Sequence, residues 1–329
     1  MPALGLRRCT YQPLPDIMMK RSDRPETANT TALVALPPGR LGPVLLLLAT
    51  GGVFGALFPL GKLAAQAQVH LLAWALSLML GGGTLLALLA FARGERIPVA
   101  ARYLRYYAVA GFLSTAFPNL ILFTVIPHLG AGLSSVVFTL PPILTLALAA
   151  LFGIERPGFR RIIGIAVGFV GAALIVGPRG SLPSPGMYGW MALALSIPAS
   201  VALGNVYRTK AWPSGASPLP LSAGTLLAGA LWVALTTAAT GNFGEVATLA
   251  RAPVLAAVQA TFNALQFLMF MRLQQAAGPV YVSQIGYVGT AVGLASGALV
   301  FGETYTIWVW AASAVIIAGV LIVNSARRT

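Results

Sequence analysis

The sequence holds one cysteine, Cys9, and two histidines, His70 and His128, among 329 residues. No intramolecular disulfide can form, and a Cys/His metal site has too few ligands to be built. Acidic residues are nearly as scarce: seven Asp and Glu stand against twenty-one Lys and Arg, a net charge of +14. None of the seven lies within an apolar run. Coupling to protons or cations through a carboxylate in the membrane, the usual role of such a residue, therefore has no group to use. The chain also lacks a Gly-Lys-Ser/Thr phosphate loop and any nucleophile–base pair. Nucleotide hydrolysis by that route is excluded, no catalytic residue is proposed, and a non-enzyme without cofactors or metal is expected.

What is present is apolar surface. The chain is 57% hydrophobic and 9% charged, with a mean hydropathy of +0.83, whereas soluble domains carry about 25% charged residues. Apolar runs recur at roughly 43–61, 71–91, 106–126, 130–152, 161–177, 186–206, 219–240, 253–273, 278–301 and 307–324. Runs of this length are helical spans, since a barrel would show short alternating segments. The expected fold is thus all-α, with ten transmembrane helices and no room for a soluble domain.

The basic residues fall in short segments between the runs, which the positive-inside rule explains more simply than nucleic-acid binding. Eighteen of them lie on the side of the N-terminus, and only Lys62, Arg179 and Arg251 on the other. Both termini are expected in the cytoplasm, in a multi-pass protein of the cell inner membrane. Residues 1–40 contain Asp16, Asp23, Glu26 and several prolines but no apolar stretch. They read as a flexible cytoplasmic tail rather than a cleaved signal.

The chain also repeats itself. A shift of 148 residues lays 129–176 on 277–324, bringing Gly130 onto Gly278, Ser135 onto Ser283, Glu155 onto Glu303 and Gly171 onto Gly319. Two apolar spans joined by a glutamate hinge occur in both copies. The expected domains are 41–178 and 184–325, each with five spans. An odd number of spans forces the second copy to enter the membrane upside down, and inverted repeats characterise secondary transporters.

Uncharged polar residues line up inside the spans. Gln259, Asn263 and Gln266 are spaced i, i+4, i+7 and share one helix face. Ser283 and Tyr287 share another, with Gln284 and Tyr281 nearby, while Thr115 and Asn119, and Ser135 and Thr139, pair at i, i+4. Such groups either line a cavity that hydrogen-bonds a solute at the bilayer midplane or join helix to helix. The first reading assigns substrate contacts to Thr115, Asn119, Thr139, Gln259, Asn263, Gln266, Tyr281, Gln284 and Tyr287. Basic residues such as Arg208 and Arg272 sit at span boundaries, so the expected cavity is uncharged.

Pro141 and Pro142 must interrupt helical hydrogen bonding, and Gly289 falls in the counterpart span. These three positions are candidates for a gating kink. Glu155 and Glu303 precede helices and read as structural anchors at a positive helix end. Gly164, Gly168 and Gly171, with Ala311, Ala314, Ala318 and Gly319, permit close helix approach. They suggest scaffold contacts or a homodimer.

The segments LSSVVFTLPPILTLALAALFGIE, GIAVGFVGAALIVGP, VSQIGYVGTAVGLASGALVFGE and ASAVIIAGVLIVN resemble the drug/metabolite transporter superfamily, in particular proteins with two EamA-type repeats. The resemblance covers about residues 41–325. It implies spans 1–4 and 6–9 around a central path, with 5 and 10 peripheral, and export of amino-acid-like metabolites as a recurrent role. The expected function is export of small neutral or zwitterionic metabolites by alternating access. A lipid or lipid-linked sugar flippase and a non-transporting membrane interaction protein are the alternatives.

Overall fold

In the computed structural model the described residues are 41–155, 158–176 and 187–302, with seven further positions between 311 and 322. The tail 1–40, Glu303 and most of the tenth predicted span lie outside them. Regular secondary structure among the described residues is all helical. Eight helices are long and apolar enough to cross a membrane: α1 Gly42–Gln66, α2 Leu71–Ala92, α3 Ala101–Ala131, α4 Ser134–Leu151, α6 Gly189–Lys210, α7 Pro218–Ala239, α8 Pro253–Ala277 and α9 Pro279–Phe301. Between them, α5 spans Phe159–Val176. Large apolar side chains face outward, including Phe91, Leu151, Val254 and Leu299, the last 86% exposed. Such a surface is matched to lipid rather than water. The chain is an all-α, multi-pass membrane protein.

Helices that must touch have given up side chains to do so. Gly51 and Gly55 form a G-x-x-x-G stripe on α1 against α9. A Cβ at Gly51 would fall 2.5 Å from the Val288 Cβ, and one at Gly55 2.5 Å from the Val292 Cβ. Without a hydrophobic drive between helices in lipid, such backbone approach supplies the van der Waals contact. The small residues of α5 are used in the same way inside the chain. A Cβ at Gly319, in the tenth predicted span, would fall 2.7 Å from the Gly164 carbonyl oxygen.

Helix pairings follow an exchange pattern. α1 packs on α8 and α9, while α6 packs on α3 and α4; α2 meets α8, while α7 meets α3; α2 meets α7, and α4 meets α9. α5 lies outside this ring, against α3 and α4. Backbone conformation recurs too. The described residues with positive φ are Gln68, Gly94, Gly130 and Gly153, then Gly215, Gly241, Gly278 and Gly302. The second four follow the first four at offsets of 147 to 149 residues. Gly130 (φ 78°, ψ 171°) and Gly278 (φ 83°, ψ 174°) are almost superposable. Both conformations belong to a region essentially reserved for glycine.

Three helices are interrupted in their N-terminal part: α6 at Leu195, and α4 and α9 at corresponding points. In α4 a 3₁₀ turn at Val137–Thr139 precedes a fresh helical segment, Pro141–Leu151. In α9 the segments Pro279–Ser283 and Ile285–Phe301 meet at Gln284. Pro142 has no N–H for the Phe138 carbonyl four residues back. Gly286 lies against that carbonyl so closely that a Cβ there would overlap its oxygen. Pro141 and Pro142 therefore start a helix and free a carbonyl at the α4–α9 crossing.

Candidate functional site

A cavity of about 90 Å³ lies among seven helices of the bundle. Its wall takes Phe54 and Leu57 from α1, Ser114, Thr115 and Asn119 from α3, and Phe138 and Pro141 from α4. From the second half come Asn205 and Arg208 of α6, Asn263, Gln266, Phe267 and Phe270 of α8, and Ser283 and Gly286 of α9. Leu78 represents α2, while α5 and α7 contribute no wall residue.

Two π-helical turns shape this wall. One covers Ser77–Gly81 in α2 and the other Phe112–Ala116 in α3. Such turns leave carbonyls without their ordinary i+4 partner and are frequent at functional sites. In α3 the Phe117 N–H bonds the Phe112 carbonyl, and Ser200 Oγ of α6 donates to the Leu113 carbonyl at 2.8 Å; in α2 Asn263 Nδ2 adds a bond at 2.9 Å to the Leu78 carbonyl, which also accepts the Gly82 N–H. Asn119 Nδ2 donates to the Thr115 carbonyl at 2.8 Å, and Thr115 Oγ1 to that of Gly111 at 2.5 Å.

The charged member of the wall is Arg208, 0% exposed. Its Nε donates to Gln274 Oε1 at 2.8 Å, its Nη2 to Asn205 Oδ1 at 2.6 Å, and its Nη1 to Ser114 Oγ. The guanidinium lies over the Phe270 ring, 4.6 Å from its centroid. Gln274 Nε2 donates in turn to the Asn205 carbonyl at 2.8 Å and to Thr209 Oγ1 at 3.0 Å. Asn205 Nδ2 reaches Thr145 Oγ1 at 3.2 Å. The network thus joins α3, α4, α6 and α8. It contains no carboxylate; Glu155 lies elsewhere, paired with Arg161 at 2.7 Å.

This overturns the expectation of an uncharged cavity. A basic residue near the end of an apolar run reads as a loop charge, but α6 continues through Lys210 and buries Arg208. A signal was present: Asn205 and Arg208 are spaced i, i+3, and Gln274 extends the Gln259–Asn263–Gln266 stripe two further turns.

The other expected site residues divide. Thr115, Asn119, Asn263, Gln266 and Pro141 line the cavity. Thr139, Gln259, Tyr281, Gln284, Tyr287, Pro142 and Gly289 are not among its wall residues. Thr139 is spent on the Val136 carbonyl at 2.6 Å. Gln259 and Gln284 are fully buried with both amide atoms unpartnered among the described residues. Tyr287 turns to the periphery, where a Cβ at Gly168 would fall 2.7 Å from its Cζ. Gly289 makes room for Phe54, whose Cδ1 would be 2.5 Å from a Cβ there. The helical spacing that groups these residues is correct, yet a helix with neighbours on every side has no single inward face.

A second, more open cavity of about 520 Å³ lies where α1 ends and α2 begins, lined by Gln68, His70, Trp74, His128, Glu245 and Arg251 among others. On α1, Leu57 faces the first cavity and Gly61 the second; on α3 these positions are Asn119 and Phe123. One helical turn, about 6 Å, separates them. Phe58 falls in that turn, 1% exposed, with ring centroids 5.2 Å from Phe54 and 5.6 Å from Phe138. The third side of the triangle, Phe54 to Phe138, is 5.1 Å.

A central cavity with a mostly apolar wall, set with a few polar side chains and Arg208, lies inside a bundle of apolar spans, in a multi-pass membrane protein. Residues 41–177 match the model of the EamA-like transporter family, and the chain carries a domain of that family, within the drug/metabolite transporter superfamily. No curated protein sequence matches it. Sixteen solved chains match. One, described simply as the crystal structure of a protein, has a TM-score of 0.63 at 17% identity, covering 87% of this chain and 98% of the other. At that identity the likeness speaks for the fold alone.

Proposed function

We propose that the protein is a secondary transporter that exports small organic metabolites, amino acids or related zwitterions in the first place, by alternating access. The observation that carries this reading is the central cavity, walled by α1–α4 of the first half and α6, α8 and α9 of the second. The two halves, 41–178 and 184–325, act as inverted repeats of five helices. The matched positive-φ positions and the exchanged helix pairings support the duplication, and the odd helix number supplies the inversion. The breaks in α4 and α9 support it as well, since discontinuous helices frame solute sites in such folds. Asn119, Asn263, Gln266, Thr115 and Ser283 offer the polar contacts. The Phe54–Phe58–Phe138 layer serves as the barrier between the site and the second cavity. The placement of basic residues favours an inner-membrane protein with cytoplasmic termini.

A flippase would use a basic residue in the cavity wall, which Arg208 supplies. The volume of about 90 Å³ suits a small metabolite rather than a lipid-linked sugar.

The test is efflux from proteoliposomes loaded with a metabolite mixture and read by mass spectrometry. Selective loss of a few compounds relative to protein-free liposomes is expected. Equal retention of every compound, with no thermal shift of the purified protein by any of them, would defeat the reading.

A further inference from the structure

We infer that Arg208 is the anchor for a carboxylate, so that the transported molecules are small organic carboxylates, with or without an ammonium group. The inference rests on the transport reading and specifies its substrate class.

Arg208 carries its charge into the protein interior without a counter-charge among the described residues. Guanidinium groups remain protonated in proteins, and a buried cation without an anionic partner carries a heavy desolvation cost. The described residues contain three carboxylates, Glu95, Glu155 and Glu245. None lies in the cavity wall, and Glu155 is engaged by Arg161. All the partners of Arg208 are neutral: an amide oxygen on Gln274, another on Asn205, the Ser114 hydroxyl and the Phe270 face.

The donor inventory is also incomplete. A guanidinium has five N–H groups, and the bonds to Gln274, Asn205 and Ser114 use three, one on each nitrogen. One N–H on Nη1 and one on Nη2 have no acceptor among the described residues. That leaves two donors on adjacent nitrogens of one fork, the arrangement a carboxylate accepts in a bidentate pair. The three neutral bonds and the Phe270 face fix the fork beforehand, so little side-chain entropy is lost when an anion arrives.

The rest of the wall suits such a ligand. Phe54, Leu57, Phe138, Phe267 and Ile285 provide apolar surface, and Asn119, Asn263 and Gln266 provide amide oxygens. An ammonium group can be solvated by those oxygens, but among the described residues no carboxylate lines the wall to prefer a cation. Organic cations without an acid group are therefore excluded on charge. The network also reaches α3, α4 and α8, so an anion on Arg208 acts on helices of both halves at once.

The experiment uses the full chain in liposomes loaded with matched compounds: L-valine, isovalerate, valinamide, isobutylamine and phosphoethanolamine. Wild-type protein is expected to release L-valine or isovalerate, or both, while retaining valinamide and isobutylamine. Arg208→Gln is expected to lower the apparent affinity for the released compound by about 10- to 100-fold, the range for a charge-assisted bond. Arg208→Lys should recover part of it, and size-exclusion profiles separate these effects from misfolding. Wild-type selectivity provides a readout independent of any variant. Release of valinamide as fast as valine, or unchanged carboxylate preference in Arg208→Gln, overturns the inference and leaves transport standing. Release confined to phosphoethanolamine overturns the carboxylate assignment in favour of a phosphate. Release of none of the five, followed by none from a wider metabolite mixture, overturns transport and this inference together.

Discussion

Arg208 Nε and Gln274 Oε1 lie 2.8 Å apart and tie α6 to α8 inside the bundle. Gln274 keeps Arg208 in place without neutralising it, because an amide oxygen accepts the bond and brings no charge. Gln274→Glu should therefore build a buried ion pair of nearly the same shape. Thermal stability in detergent should be retained, while efflux of any carboxylate substrate should fall at least about tenfold, the loss of one charge-assisted contact. Full efflux by this variant would show that the free charge on Arg208 is not used.

Asn263 and Tyr287 offer a second contrast. Asn263 lines the cavity and holds the π-turn carbonyl of Leu78, whereas the Tyr287 hydroxyl is buried without a partner among the described residues. Asn263→Ala should cost about 1 kcal/mol by removing the hydrogen bond that ties α8 to α2 and should also weaken transport. Tyr287→Phe removes a buried, unpaired hydroxyl and should leave both stability and transport unchanged or slightly improved. Thermal melts and efflux assays on the two variants decide the point.

Close helix approach can be tested at Gly286. A Cβ there would collide with the Phe138 carbonyl, while one at Gly52 meets nothing within 4 Å. Gly286→Ala should destabilise by about 1–3 kcal/mol, as overpacking does, and depress the yield of monodisperse protein. Gly52→Ala should be neutral or gain a few tenths of a kcal/mol from helix propensity. Equal melting temperatures for the two would contradict the packing.

The aromatic layer yields a prediction about access. With Cys9→Ser as background, a Ser283→Cys reporter sits in the central cavity wall. Phe58→Ala removes the ring that packs on Phe54 and Phe138. The reporter should then react at least about tenfold faster with a small membrane-impermeant thiol reagent, the kinetic equivalent of about 1.4 kcal/mol. An unchanged rate would place the barrier elsewhere.

The polar stripe on α8 shows how far the sequence could be read. Gln259, Asn263 and Gln266 do share a helix face, as their spacing requires, and Asn263 and Gln266 do reach the cavity. Gln259 does not, because its stretch of α8 is enclosed by other packing. Tyr287, one turn beyond Ser283 on a common face, turns toward Gly168 because α9 is broken at Gln284. Periodicity predicts which residues look the same way along an unbroken helix, and it carries no information past a break.

By itself the sequence determined the membrane setting and eight of the predicted spans to within a few residues, and it paired Gly130 with Gly278, where the backbone takes the same positive φ. These are local properties: hydropathy over about twenty residues, and a conformation only glycine adopts cheaply. The tertiary structure alone decided that Arg208 lies in the cavity wall rather than in a loop. Whether a basic side chain near a helix end faces water or protein depends on what packs beside it. Here Ser114, Gln274 and Phe270, from other helices, close around it.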